Sequence, residues 1–174
     1  MEGGYKMLQD NVTKLLNDQI NKEMFSAYLY LDMANYYTHN GLDGISQWFR
    51  NQAKEEMDHA LIFMTYLQNN DYHVTLEAIE KPTRSYRDFR HPLEEALKHE
   101  QFVTASIHAI YAEAMESKDY RTTEFLHWFI KEQGEEEKSA TDLLNHYDLA
   151  GKNLFMFDRE LAKREYHKPD YDID

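Results

Sequence analysis

Glu23 and Glu56 stand 33 positions apart, and Glu100 and Gln133 stand 33 apart as well. In an antiparallel helical hairpin, residues equidistant from the turn lie at one depth. The midpoint of the first pair falls at His39-Asn40 and that of the second at Glu116-Ser117, each at or beside a turn signal. Every member of the two pairs would then lie about 16 residues, or ~25 Å, from its turn. His59 follows Glu56 by three positions and Glu136 follows Gln133 by three, close to one helical turn along the same face. Glu23 shares its face with Leu16, Ile20, Ala27 and Tyr30, so its side chain belongs to the inner side of its helix.

Several carboxylates gathered in a dry interior cannot all stay ionised without compensation, because each unpaired charge is costly and like charges repel. A bound cation resolves the conflict. Glu23, Glu56, Glu100 and Glu136 with the imidazole of His59 and the amide of Gln133 suit hard or borderline metals. A pair of metals bridged by a glutamate is what helical bundles host as di-iron or di-manganese centres. Glu56 is the natural bridge, and with His59 it makes the Glu-x-x-His motif. Taken singly, KEEMDH and EEEK would read as solvated charged stripes. Four segments matched in depth read as a site.

The chain that must position these groups has 174 residues, enough for one domain with a single core over 1–174. It contains no cysteine, which removes disulfides, thiolate zinc sites, iron-sulfur clusters and four-cysteine iron sites. A formal charge of -13 offers little to a phosphate backbone and much to cations, so no nucleic-acid partner is expected. The polar start MEGGYKMLQD lacks the apolar run of a signal peptide, and no window approaches a membrane span. A cytoplasmic protein without a membrane partner is the expectation.

Six Gly and three Pro fall mostly between segments, as in a helical protein. The periodicity predicts an all-α four-helix bundle with helices at about 6–39, 44–70, 92–116 and 120–149, and a short fifth helix at 153–165. Residues 71–91 have weak periodicity and contain Pro82, and Pro92 follows where a first helical turn accepts it. This is a crossover, long enough at up to ~3.3 Å per residue to run the ~40 Å length of the bundle. The end, HKPDYDID, reads as a frayed tail.

The chain resembles the prokaryotic non-haem ferritins from Leu8 to about Leu161, on NKEMFSAYLY, FRNQAKEEMDHA, KHEQ, FLHWFIKEQGEEEK and FDREL. The resemblance implies a ferritin-like bundle that oxidises Fe(II) to Fe(III) with O2 or H2O2 and stores ferric mineral in a cage of 24 copies. By position it implies that Glu23, Glu56 and His59 hold one iron and Glu56, Glu100 and Glu136 the second, with Gln133 nearby and Tyr30 beside the centre. It also implies a third iron position from Glu55, Glu132 and Glu135, with Glu136 shared. Glu55 would turn about 100° from Glu56, and Glu132 and Glu135 would share a neighbouring face. Trp128 matches a family position that packing alone explains. Leu154, Phe155, Phe157 and Leu161 make the fifth helix too apolar for a free tail, which fits a closed assembly or a helix folded onto its own bundle.

Relatives differ at single positions. Bacterioferritins are similar but carry a second Glu-x-x-His where this chain reads Gln133-Gly134-Glu135-Glu136. Met57 stands where their haem ligand does, yet a core methionine needs no cofactor, and no haem is expected. Rubrerythrins need the missing cysteines, and miniferritins lack the short last helix. Gly134 departs from the commoner residues there without touching a ligand. The competing functions are another di-iron carboxylate oxidase or peroxidase, a bacterioferritin-like haem-containing store, and a storage shell without catalysis. The last loses ligands that this chain keeps.

Overall fold

A computed structural model of the chain describes residues 8–82 and 85–171. Its helices are α1 (Asp10–His39), α2 (Asp43–Asn69), α3 (His91–Glu116), α4 (Tyr120–Ala150) and α5 (Leu154–Leu161). α1 pairs with α2 and α3 with α4, α1 also meets α3, and α5 packs on α2 and α4. The first helix begins at Asp10; Lys6, where periodicity would start it, lies outside the described residues. None of these helices is long and apolar enough to cross a membrane.

The three long-helix turns close alike. After α1, Gly41 adopts φ 73°, its N–H donates to Thr38 O, and Leu42 N donates to Tyr37 O. Asp71 (φ 58°) after α2 and Lys118 (φ 55°) after α3 repeat the pattern, with Tyr72 N bonding Leu67 O and Asp119 N bonding Ala114 O. In each, a left-handed residue lets its own amide and the next one satisfy the last open carbonyls of the helix. Asp119 then caps α4, its carboxylate accepting from Thr122 N and Thr122 Oγ1.

α2 has no N-cap side chain of its own. Asp158 of α5 supplies one, Oδ1 accepting from Ile45 N at 2.9 Å. The α5 backbone approaches so closely that a Cβ at Gly44 would overlap the Asp158 carbonyl. Gly44→Ala is therefore expected to push α5 off α2 and destabilise the fold by about 1–3 kcal/mol, read as a lower melting temperature.

α5 ends at Leu161, earlier than the sequence predicts, with Phe157 and Leu161 buried against the bundle and Phe155 and Met156 exposed. The following segment is held as far as residue 171, and residues 172–174 of the expected frayed tail lie outside the described residues. Asn51 Nδ2 donates to Arg164 O, Tyr166 OH donates to the Asp58 carboxylate, and the Tyr171 ring packs edge-on against Trp128. Two tyrosines with apolar faces to bury hold the chain along α2 and α4 as far as residue 171.

The core divides into two apolar clusters. One holds Leu16 and Ile20 of α1, Ala60 and Phe63 of α2, Val103 and Ile107 of α3, and Leu126 and Phe129 of α4. The other holds Leu29, Ala53, Ala96 and Leu143 from the same helices. Between the clusters every helix buries polar residues, Glu23 and Ser26 on α1, Glu56 and His59 on α2, His99 and Glu100 on α3, and Gln133 and Glu136 on α4.

Candidate metal centre

That polar layer contains Glu23, Glu56, His59, Glu100, Gln133 and Glu136, all buried, with Tyr30 buried beside them. α1 supplies Glu23 and Tyr30, α2 Glu56 and His59, α3 Glu100, and α4 Gln133 and Glu136. One ligand atom each from Glu23, Glu56 and His59 lies within 4.8 Å of the others, and the same holds for His59, Glu132 and Glu136.

Donors reach the outer carboxylates only. Tyr30 OH donates to Glu100 Oε1, and Gln133 Nε2 donates to Glu100 Oε2 at 3.2 Å. Gln19 Nε2 donates to Glu23 Oε1 at 2.8 Å, and Gln52 Nε2 to Glu136 Oε2 at 2.9 Å. Glu23 Oε2, both oxygens of Glu56 and His59 Nε2 are buried without a hydrogen-bond partner. Buried polar atoms are normally satisfied. Four unsatisfied ones on neighbouring side chains, all able to give a lone pair to a cation, fit a divalent metal.

Electrostatics agree. Burial pushes the Glu56 carboxyl well above its ordinary range, with Glu100, Glu23 and Glu136 adding like-charge repulsion. Burial, then Glu100 and Glu55, do the same to Glu136. Glu100 is raised to about 7 by burial, against the donors Tyr30 and Gln133, and burial also raises Glu23. His59 is lowered to about 4 by burial, so its imidazole is neutral and ready to ligate. Its 3.7 Å approach to Glu56 and 3.9 Å approach to Glu132 are therefore not ion pairs. Its ring meets Trp128 and Phe129 edge-on, at centroid distances of 5.7 and 5.8 Å.

The residues expected to form a third position differ in exposure. Glu132 is one-fifth exposed and faces His59. Glu55 is half-buried, and its carboxyl is raised to about 7 by burial and then by Glu132 and Asp58. Glu135 is exposed and lies 3.6 Å from Lys131. Met57 is not a core methionine: at 40% exposure it lies on the outer side of α2, because one position beyond an inward Glu56 the helix faces outward.

Gln19 and Gln52 do not stand out by residue chemistry alone. A signal for them exists, since each precedes a ligand candidate by four positions and they too are 33 apart. Amides on an inner face, however, are common in bundle cores.

The pattern of a ferritin-like domain matches residues 13–150. The bacterial non-heme ferritin of Campylobacter jejuni is 40% identical over 147 residues, covering 84% of this chain and 88% of the relative. That of Staphylococcus aureus is 32% identical over 163 residues, covering 92% and 98%. An open pore ferritin from the hyperthermophilic archaeon Archaeoglobus fulgidus superposes with a TM-score of 0.89 at 37% identity, covering 92% of this chain and all of that one (100%). With its polar layer between two apolar clusters, this chain belongs to the ferritin-like family, among the bacterial non-haem ferritins.

Proposed function

We propose that the protein stores iron and is a ferroxidase, oxidising Fe(II) at the buried carboxylate cluster and passing Fe(III) into the cavity of a 24-subunit cage. The reading rests above all on the four unpartnered atoms of Glu23, Glu56 and His59. Iron is the substrate. Glu23, Glu56 and His59, whose ligand atoms already converge, hold one Fe(II), and Glu56, Glu100 and Glu136 hold the second as the resemblance implies, with Glu56 shared because both its oxygens lack a partner. Gln133 and Tyr30 direct Glu100 through their hydrogen bonds.

Carboxylates protonated by burial release protons when Fe(II) arrives, and their charge stabilises Fe(III) more than Fe(II). Two Fe(II) give two electrons, which reduce O2 and two protons to H2O2, or H2O2 and two protons to water. Assembly is supported by apolar side chains left exposed on the bundle, among them Phe155 and Met156 of α5 and Tyr28, Leu31 and Leu61 of α1 and α2. Aerobic Fe(II) addition, followed by absorbance with the particle mass measured in parallel, tests the whole reading. A rapid phase consuming two Fe(II) per chain in a 24-subunit particle is expected. A monodisperse dimer or the absence of the rapid phase would sink it.

For the third iron position we keep Glu55, Glu132 and Glu135 with Glu136 shared; ligand atoms of Glu132 and Glu136 already lie within 4.8 Å of each other, and Glu135, exposed beside Lys131, has the lesser part. Glu132→Ala is expected to lower iron bound before turnover from three per chain towards two. Glu135→Ala should lower it less, and neither should abolish the rapid phase. Equal losses in the two variants, by anaerobic Fe(II) titration, would give Glu135 an equal part in the site.

A further inference from the structure

Glu23 and Glu136, on opposite sides of the cluster, are each held at one oxygen by a buried neutral amide. On α1, Gln19 lies one turn before Glu23 and donates Nε2 to Glu23 Oε1. The direction of that amide is dictated from its other end. Lys22 Nζ can only donate, and it lies 2.6 Å from Ser106 Oγ on α3. The serine oxygen therefore accepts from lysine, and its own proton goes to Gln19 Oε1 at 2.7 Å. With its oxygen engaged, the amide must turn its NH2 towards Glu23. The chain Lys22, Ser106, Gln19, Glu23 thus runs in one direction and leaves Glu23 Oε2 facing the cluster unpartnered. Across the bundle, Gln52 of α2 donates to Glu136 Oε2 of α4. A lysine or arginine could bond these carboxylates too, but would cancel the charge they offer a cation; an amide orients without neutralising.

We propose that Gln19 and Gln52 are positioning residues of the pair site, each fixing which carboxylate oxygen faces the metal. Gln19 serves the position of Glu23 and His59, and Gln52 the position of Glu136 and Glu100. A glutamate free to turn must lose that freedom when metal binds, whereas one already held does not. Partners of this kind are worth about 10–100-fold in metal affinity. The proposal rests on the reading of the cluster as a divalent-cation site.

The test is Co(II) titration of the full-length assembled protein, followed by the d–d absorption bands, with the melting temperature of the metal-free protein measured alongside. Gln19→Met is expected to weaken one Co(II) by about 10–100-fold and alter its bands, namely the Co(II) also lost in His59→Ala. Gln52→Met is expected to weaken the other. Ser106→Ala, which keeps Gln19 but frees its amide, should weaken the first position several-fold. If a methionine variant fails to assemble, Gln19→Leu and Gln52→Leu also remove the donor in a different shape, and Ser106→Ala stands independently. Wild-type affinities and bands in all assembled variants, with only the melting temperature lowered, would make the amides mere core packing and overturn the proposal. Wild-type protein that binds no Co(II) at the cluster would overturn the cation-site reading itself, and this proposal with it.

Discussion

Glu56→Gln is expected to slow the rapid phase of aerobic Fe(II) oxidation by about a hundredfold or more while making the metal-free protein more stable. The two effects have opposite signs for one physical reason. Glu56 has two buried oxygens without a partner and three carboxylates, Glu100, Glu23 and Glu136, pressing on it electrostatically. In the metal-free protein burial and these neighbours hold it protonated, at a free-energy cost relative to the ionised carboxylate of the unfolded chain, and a neutral amide of the same shape avoids that cost. With Fe(II) bound, the same two oxygens are the link between both ions, which an amide replaces poorly. Loss of an outer partner of a ligand already costs about 10–100-fold, so loss of the shared ligand should cost at least the upper end. Stopped-flow absorbance and thermal melting with chelator present decide it. A variant that is both slower and less stable would mean that Glu56 serves folding.

Metal-free protein is expected to lose stability as pH rises from 6.5 to 8. Glu100 is raised to about 7, and Glu23, Glu56 and Glu136 are raised as well, all chiefly by burial. A carboxyl whose folded-state value lies above its unfolded one binds more protons in the folded state across the interval between them. Its stabilisation is complete below the unfolded value and is lost as pH climbs through the folded one. His59, lowered to about 4, acts in the opposite sense, but only between that value and its ordinary 6.5. Above pH 6.5 the carboxylates act alone. Glu100 by itself would remove about 1 kcal/mol within this window, and the other carboxylates add to it, so the melting temperature should fall by roughly 2–5 °C. Co(II) should restore it, and more at pH 8 than at pH 6.5, because the cation replaces the protons. A melting temperature that is flat or rising over this range in chelator would contradict the electrostatic account.

Much of this molecule is written locally. The long helices, their turns and the level at which Glu23, Glu56, Glu100 and Gln133 meet follow from apolar periodicity and a shared spacing of 33, because helical rise and antiparallel pairing convert sequence distance directly into depth. The inward direction of His59 and Glu136 follows from the same geometry, since positions three apart share a face.

What sequence could not reach depends on how one element is rotated and seated against another. Glu132 and Glu135 share a face of one helix, yet Glu132 is one-fifth exposed and lies 3.9 Å from His59 while Glu135 is exposed beside Lys131; the rotation of α4 about its axis, with Phe125, Leu126 and Phe129 in the core, decides how deep each one sits. Asp158 caps a helix more than a hundred positions away, and Gln52 donates across the bundle to Glu136, pairings that no local pattern encodes. The segment after α5 looked free because its charges are many and its apolar groups few. Two tyrosines hold it down, Tyr166 bonded to Asp58 of α2 and the Tyr171 ring packed on Trp128 of α4, surfaces that exist only once the helices are folded. Sequence by itself determined which residues share a level and face inward, because those follow from helix geometry. Tertiary structure alone decided which partner each long side chain takes, because a glutamine or glutamate with three rotatable bonds reaches several neighbours, and only the packed helices choose among them.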